Sequence, residues 1–172
     1  MRPYTGIGVF VFSQSESVTK RELQIPLYNE PGLSRVGILN SSKLSVNEWI
    51  FGLSEENPPL IVSARKGDWL QVFYDDAGRE AWIEQHNRGH LLSWEQFLKL
   101  QTCRMLPGLQ PPFYQLLQQI DGKSVATLTP KQIFKVLKLE NGWSMILTEQ
   151  GQLGWLKWQD NDRRLTMGIG KQ

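Results

Sequence analysis

Apolar and polar positions alternate over Trp69-Leu-Gln-Val-Phe-Tyr74, a period of two that predicts a strand with one face on a core. The same spacing returns later in the chain. Val62 precedes Trp69 by seven positions, and Val136 precedes Trp143 by seven. Each stretch then closes on Gly-x-x-Ala/Gly-Trp-Ile/Leu, as Gly78 to Ala81-Trp82-Ile83 and as Gly151 to Gly154-Trp155-Leu156. Asp75-Asp-Ala-Gly78 and Glu149-Gln-Gly151 supply turn chemistry, since glycine takes positive φ without a clash, so each copy reads as two strands around a tight turn. Trp69 to Trp82 is 13 positions and Trp143 to Trp155 is 12, a difference that a hairpin tip absorbs.

The facing of these strands follows from the two copies together. Val72 aligns with Ile146, and both are apolar, so that position faces a core. Trp69 and Trp143 lie an odd offset earlier and point to the opposite face. A Trp there is either a contact residue for a ligand or a cover over the open end of a small barrel, since its ring carries a large apolar area and a polar tip.

The repeat reaches further upstream. Residues 6–12 and 22–28 are strand candidates, and Pro31-Gly32 marks a turn. Leu27 to Val36 is nine positions, as is Leu116 to Val125, so the matched units are 22–84 and 112–158. Between Leu39 and Val62 the first copy carries an insertion, at about 40–59, holding Leu44, Val46, Trp49, Ile50, Phe51 and Leu53. So apolar a segment predicts an extra hairpin or turn packed on a body; the functional alternative puts Trp49 and Phe51 on the wall of a groove. Between the copies, Ser93-Trp-Glu-Gln96 fits a capping box and predicts a short helix, Trp94–Gln101, ended by Pro107-Gly108 and Pro111-Pro112.

Gly67-Asp-Trp69-Leu-Gln-Val72 with Ala81-Trp82-Ile83, and Asn-Gly-Trp143 with Gly154-Trp155-Leu156, resemble the bacterial SH3-like (SH3b) domain family. The second copy matches better; the first has Ala81 where the family prefers glycine. The resemblance implies an all-β chain of two tandem five-stranded small β-barrels. The divisions are a first barrel over 1–90, a linker with the short helix over 91–111, and a second barrel over 112–172. It further implies a non-catalytic binding role in the bacterial cell envelope.

Composition narrows the chemistry. The 172 residues carry 19 basic and 17 acidic side chains, net +2, with no basic run beyond Arg163-Arg164, so nothing argues for nucleic acid. The apolar content of 40%, with seven Trp and seven Phe, is enough to build cores. One cysteine, Cys103, excludes an internal disulfide and a cysteine-based zinc site. No apolar run approaches the roughly 20 residues of a membrane-spanning helix. Ile7–Phe12 is too short for a signal peptide, so the chain is either cytoplasmic or begins after a removed leader.

His86 and His90 are four apart, but Asn87-Arg88-Gly89 between them argues against a helix, and two ligands leave a zinc site incomplete. Asp75-Asp76 and Glu55-Glu56 read as solvated turn carboxylates. Cys103 has no activating context in the sequence.

Three functions follow. The first is a binding protein of the cell envelope, periplasmic or otherwise exported, taking a peptide, a peptidoglycan fragment or a protein partner. Its expected contact residues are Trp69, Tyr74, Trp143, Trp49 and Trp158, with no catalytic residue, metal or cofactor. The second is a structural or assembly component whose aromatics serve packing between barrels or subunits. The third is a cell-wall hydrolase using Cys103 or the histidines.

Overall fold

The computed structural model of the chain describes residues 1–13, 23–40, 44, 46–52 and 58–170. Glu22, at the start of a strand candidate above, lies outside them, as do Leu53 and Glu55-Glu56. The protein is all-β in class and divides into two compact units. One is formed by Thr5–Ser93 and the other by Trp94–Gln172 together with Arg2–Tyr4.

The first unit holds β1 (Gly8–Phe12), β2 (Gln24–Glu30), β3 (Leu33–Asn40), β4 (Leu60–Lys66), β5 (Trp69–Phe73), β6 (Glu80–Glu84) and β7 (Gly89–Leu92). The second holds β8 (Thr102–Met105), β9 (Gln115–Leu117), β10 (Ser124–Thr127), β11 (Ile133–Glu140), β12 (Trp143–Thr148), β13 (Leu153–Lys157) and β14 (Met167–Ile169). Each unit is a seven-stranded sheet, of order β3-β2-β6-β5-β4-β1-β7 in one and β10-β9-β13-β12-β11-β8-β14 in the other. Every pairing is antiparallel. The two orders match strand for strand.

The match extends to register. Val62 pairs with Val72 and Val136 with Ile146, and directly after each valine the ladder shifts by one residue, at Ser63 and at Leu137. A second shared irregularity leaves Val36 and Val125 unpaired and outward, 49% and 48% exposed, which is why the nine-residue spacing recurs. Trp82 pairs with Tyr28, and Trp155 with Leu117.

Three features differ from the sequence expectation. Each sheet has seven strands where five were expected: β1 and β7 flank the first repeat, and β8 and β14 the second. Each copy of the motif spans three strands, because a further turn, Gly67-Asp68 or Asn141-Gly142, separates the valine strand from the first Trp. Residues 91–111 are divided between the units. Leu91 and Leu92 pair with β1, whereas helix α2 (Trp94–Lys99) packs beside β8 and β11 of the second unit.

Helix α2 starts at Trp94, as the capping box predicts, and buries Trp94, Phe97 and Leu98. It stops before Gln101, and Leu100 is 71% exposed. The described residues of the insertion include one helical turn, α1 (Glu48–Phe51), which buries Ile50 and Phe51. Its entry is fixed where the Asn47 N–H donates to Asp76 at 2.7 Å. The core of the first unit gathers Phe10, Ile25, Leu27, Val62, Leu70, Val72 and Ile83 from five strands.

Candidate functional site

On β5, Leu70 and Val72 are fully buried, while Trp69, Gln71 and Phe73 look outward. On β6, Ala81 and Ile83 are buried, while Glu80, Trp82 and Glu84 look outward. The period of two thus sends one side of each strand to the core and leaves the other as a face. Across the ladder Trp69 stands opposite Glu84 and Lys66, Gln71 opposite Trp82, and Phe73 opposite Glu80. Tyr28 of β2 joins the strip, with its ring edge-on to Trp69 at 5.4 Å between centroids. That geometry sets the positive edge of one ring on the negative face of the other.

The second unit repeats the face with other side chains. Trp143, Met145 and Leu147 of β12 look outward, and so do Lys157, Trp155 and Leu153 of β13. Trp143 stands opposite Lys157 and Glu140, Met145 opposite Trp155 and Lys138, and Leu147 opposite Leu153 and Lys135. The ammonium of Lys157 lies 5.4 Å from the centroid of the Trp143 ring, and that of Lys138 lies 5.2 Å from the Trp155 ring. Both are cation–π distances. Leu147 and Leu153 are 38% and 54% exposed.

Of the five residues nominated from sequence, Trp69 and Trp143 occupy equivalent places on these outer faces, half-buried. Tyr74 does not join Trp69. It follows the inward position Val72 by two and packs against the core of the first unit, with the Arg79 guanidinium 5.5 Å from its ring. Trp49 sits on α1, 41% exposed, while its neighbours Ile50 and Phe51 turn inward.

Trp158, nominated as a contact residue, is instead buried, at 7% exposure. Its indole N–H donates to the Asn141 carbonyl at 2.8 Å, and its ring lies 5.9 Å from that of Trp94. It therefore supports the turn that presents Trp143 and does not itself present a surface. The sequence reading left out Tyr28, Trp82, Trp155, Met145, Lys138 and Lys157. The signal for Trp82 and Trp155 was present: residues opposed across an antiparallel hairpin share a face, and both fall on the side of Trp69 and Trp143.

Cys103 is wholly buried, and burial pushes its thiol up to about 12, against a small opposing pull from Lys135. Asp75 is raised by burial but held lower on balance by the Arg79 backbone N–H and guanidinium. His86 lies in the loop before β7 and His90 on β7, and both are exposed. Among the described residues no three His, Cys, Asp or Glu side chains gather where a metal ion could be held. No helix among them is long and apolar enough to cross a membrane.

No protein-family model matches the chain, and no curated protein matches it in sequence.

Proposed function

We propose that the protein is a non-catalytic binding protein of the bacterial SH3-like kind, acting in the cell envelope on a peptide, a peptidoglycan fragment or a protein partner. In this reading each sheet curls into a small barrel, and the chain is exported. One observation carries the reading: the same outward sheet face recurs in both units at the same register, each time led by a half-buried Trp. A folded chain gains little by leaving large apolar rings in water twice over, whereas rigid aromatic area is well suited to grip a ligand. The buried, poorly acidic Cys103 thiol counts against the hydrolase reading, because the thiolate is the nucleophile.

The test is a titration with muropeptides and envelope extracts, followed by Trp fluorescence. A saturable shift that is lost in Trp69→Ala or Trp143→Ala supports a binding face; no shift with any extract removes it. The alternative is an assembly role, in which the outer aromatics pack against another barrel or subunit. Acrylamide separates the two, since ligand faces leave Trp69 and Trp143 quenchable and assembly shields them.

A further inference from the structure

We propose that the two outer faces are unequal sites, and that the face of the second unit is the docking strip for an extended acidic polypeptide segment carrying apolar side chains. The proposal rests on the binding reading above and goes on to assign its partner. It starts from an inversion of charge. Trp69 is flanked by Lys66 on one neighbouring strand and Glu84 on the other. Trp143, its equivalent, is flanked by Glu140 and Lys157 in the same two places. At the outward positions of β4–β6 one lysine faces two glutamates, Glu80 and Glu84. At those of β11–β13 three lysines, Lys135, Lys138 and Lys157, face Glu140 alone.

The lysines border an apolar floor. Trp143, Met145, Trp155 and Leu117 run across β12, β13 and β9, and Leu147 and Leu153 lie exposed at one end. An extended chain presents side chains alternately, so one side of it brings both a carboxylate and an apolar group to such a floor. Lys138 is already paired with Glu140 at 3.5 Å and the Lys135 ammonium donates to the Thr102 hydroxyl at 2.9 Å, which leaves Lys157, 3.5 Å from Asn161, as the main cation. Nucleic acid fits less well. Base stacking needs open ring faces, and the ammoniums of Lys138 and Lys157 lie over those of Trp155 and Trp143. The face of the first unit, with Glu84 where the second has Lys157, repels the same acidic segment.

The experiment uses the full chain and three fluorescein-labelled probes read by anisotropy. They are a dodecapeptide alternating Glu with Leu and Phe, the same peptide with Lys for Glu, and a dodecamer of deoxythymidine. The Glu peptide is expected to bind, to weaken with added salt, and to lose at least about tenfold in affinity in the double variant K138E/K157E. E84K in the first unit is expected not to weaken it. L153E, at an exposed position, serves as a second variant should the double one unfold, and it too is expected to weaken the Glu peptide.

Equal binding of the Lys peptide overturns the proposal, as does unchanged affinity in a folded K138E/K157E. Lysine-dependent binding of the oligonucleotide overturns it in favour of nucleic acid. If the Glu peptide fails while muropeptide still shifts Trp fluorescence through Trp69, the partner assignment falls and the binding reading stands; if neither binds, both fall.

Discussion

Gly154 and Ala81 hold equivalent places, each opposite the inward residue of the neighbouring strand, yet they tolerate different side chains. A Cβ on Gly154 would lie 2.6 Å and 2.7 Å from the Leu116 side chain and 2.7 Å from the Leu117 carbonyl oxygen. In the first unit Ala81 already carries that Cβ, at 1% exposure. Gly154→Ala should therefore cost about 1–3 kcal/mol through overpacking, read as a lower urea midpoint. Ala81→Gly should cost about 1–2 kcal/mol, through backbone entropy and the loss of a buried methyl. Cys103 allows a second prediction at this scale. Its thiol donates weakly to the Leu98 carbonyl at 3.8 Å and is buried, so iodoacetamide at about pH 8, near the ordinary thiol pKa, should label it only in denaturant. Ready labelling of the native protein would contradict its burial. The outward Trp pair was legible from parity, but Trp158 was not. It follows the last residue of β13, where the chain leaves the strand and alternation no longer says which way a ring turns.

The hairpins show how much local chemistry decides. The β5–β6 tip closes where Tyr74 N–H donates to Arg79, and the β12–β13 tip where Thr148 N–H donates to Gln152. The loop between is Asp75–Gly78 in one and Glu149–Gly151 in the other, which accounts for the one-residue difference between the Trp spacings. Opposite this tip, the Asn141-Gly142 turn was not part of the sequence expectation; Asn141, at φ 54°, accepts the left-handed region that a two-residue hairpin needs. The Trp158 backbone N–H donates to the Gly142 carbonyl at 3.1 Å, and its indole to the Asn141 carbonyl at 2.8 Å. Trp158→Phe keeps an aromatic ring and removes the donor to the Asn141 carbonyl, a part-buried hydrogen bond. The expected cost is about 1–2 kcal/mol, with a shift in the emission of Trp143 as its turn loosens. The flanking strands β1, β7, β8 and β14 were illegible as parts of the repeat. They are short, and Gly-Val-Phe-Val-Phe and Thr-Cys-Arg-Met share no spacing; only the ladder shows them to be equivalent.

For the whole molecule, the division of the chain is the least legible feature, because it depends on three residues far from the rest of their unit in sequence. Arg2–Tyr4 belong to the second unit, although the chain enters the first at Thr5. Arg2 donates to Asp160 at 2.7 Å and to the Leu165 carbonyl at 3.1 Å. Leu165 N–H donates to Pro3, and the Arg164 guanidinium lies 4.0 Å from the centroid of the Tyr4 ring and donates to its hydroxyl. No local pattern announces such a strap: its residues are ordinary, and its partners lie some 160 positions away.

Burial raises the pKa of Asp160, but the Arg164 backbone N–H and Arg2 outweigh it and hold the carboxyl below its usual value. A group depressed on folding adds stability above its unfolded pKa of about 3.9 and loses it as pH falls through the lower folded value. Asp160→Asn keeps an acceptor for the backbone but removes the charge beside Arg2. Its cost should be about 1–3 kcal/mol near neutrality. That gap from wild type should close toward about pH 3, as the wild-type carboxyl protonates. A gap that stays constant from neutral to acid would mean that the charge contributes nothing.

The same strap gives a local readout in Arg2→Ala with Tyr4→Ala. Hydrogen exchange should quicken at Leu165 and Thr166 and in the neighbouring Asp160–Arg164 loop, while β4–β6 stay as protected as before. Acceleration throughout both units would mean instead that the two sheets unfold as one.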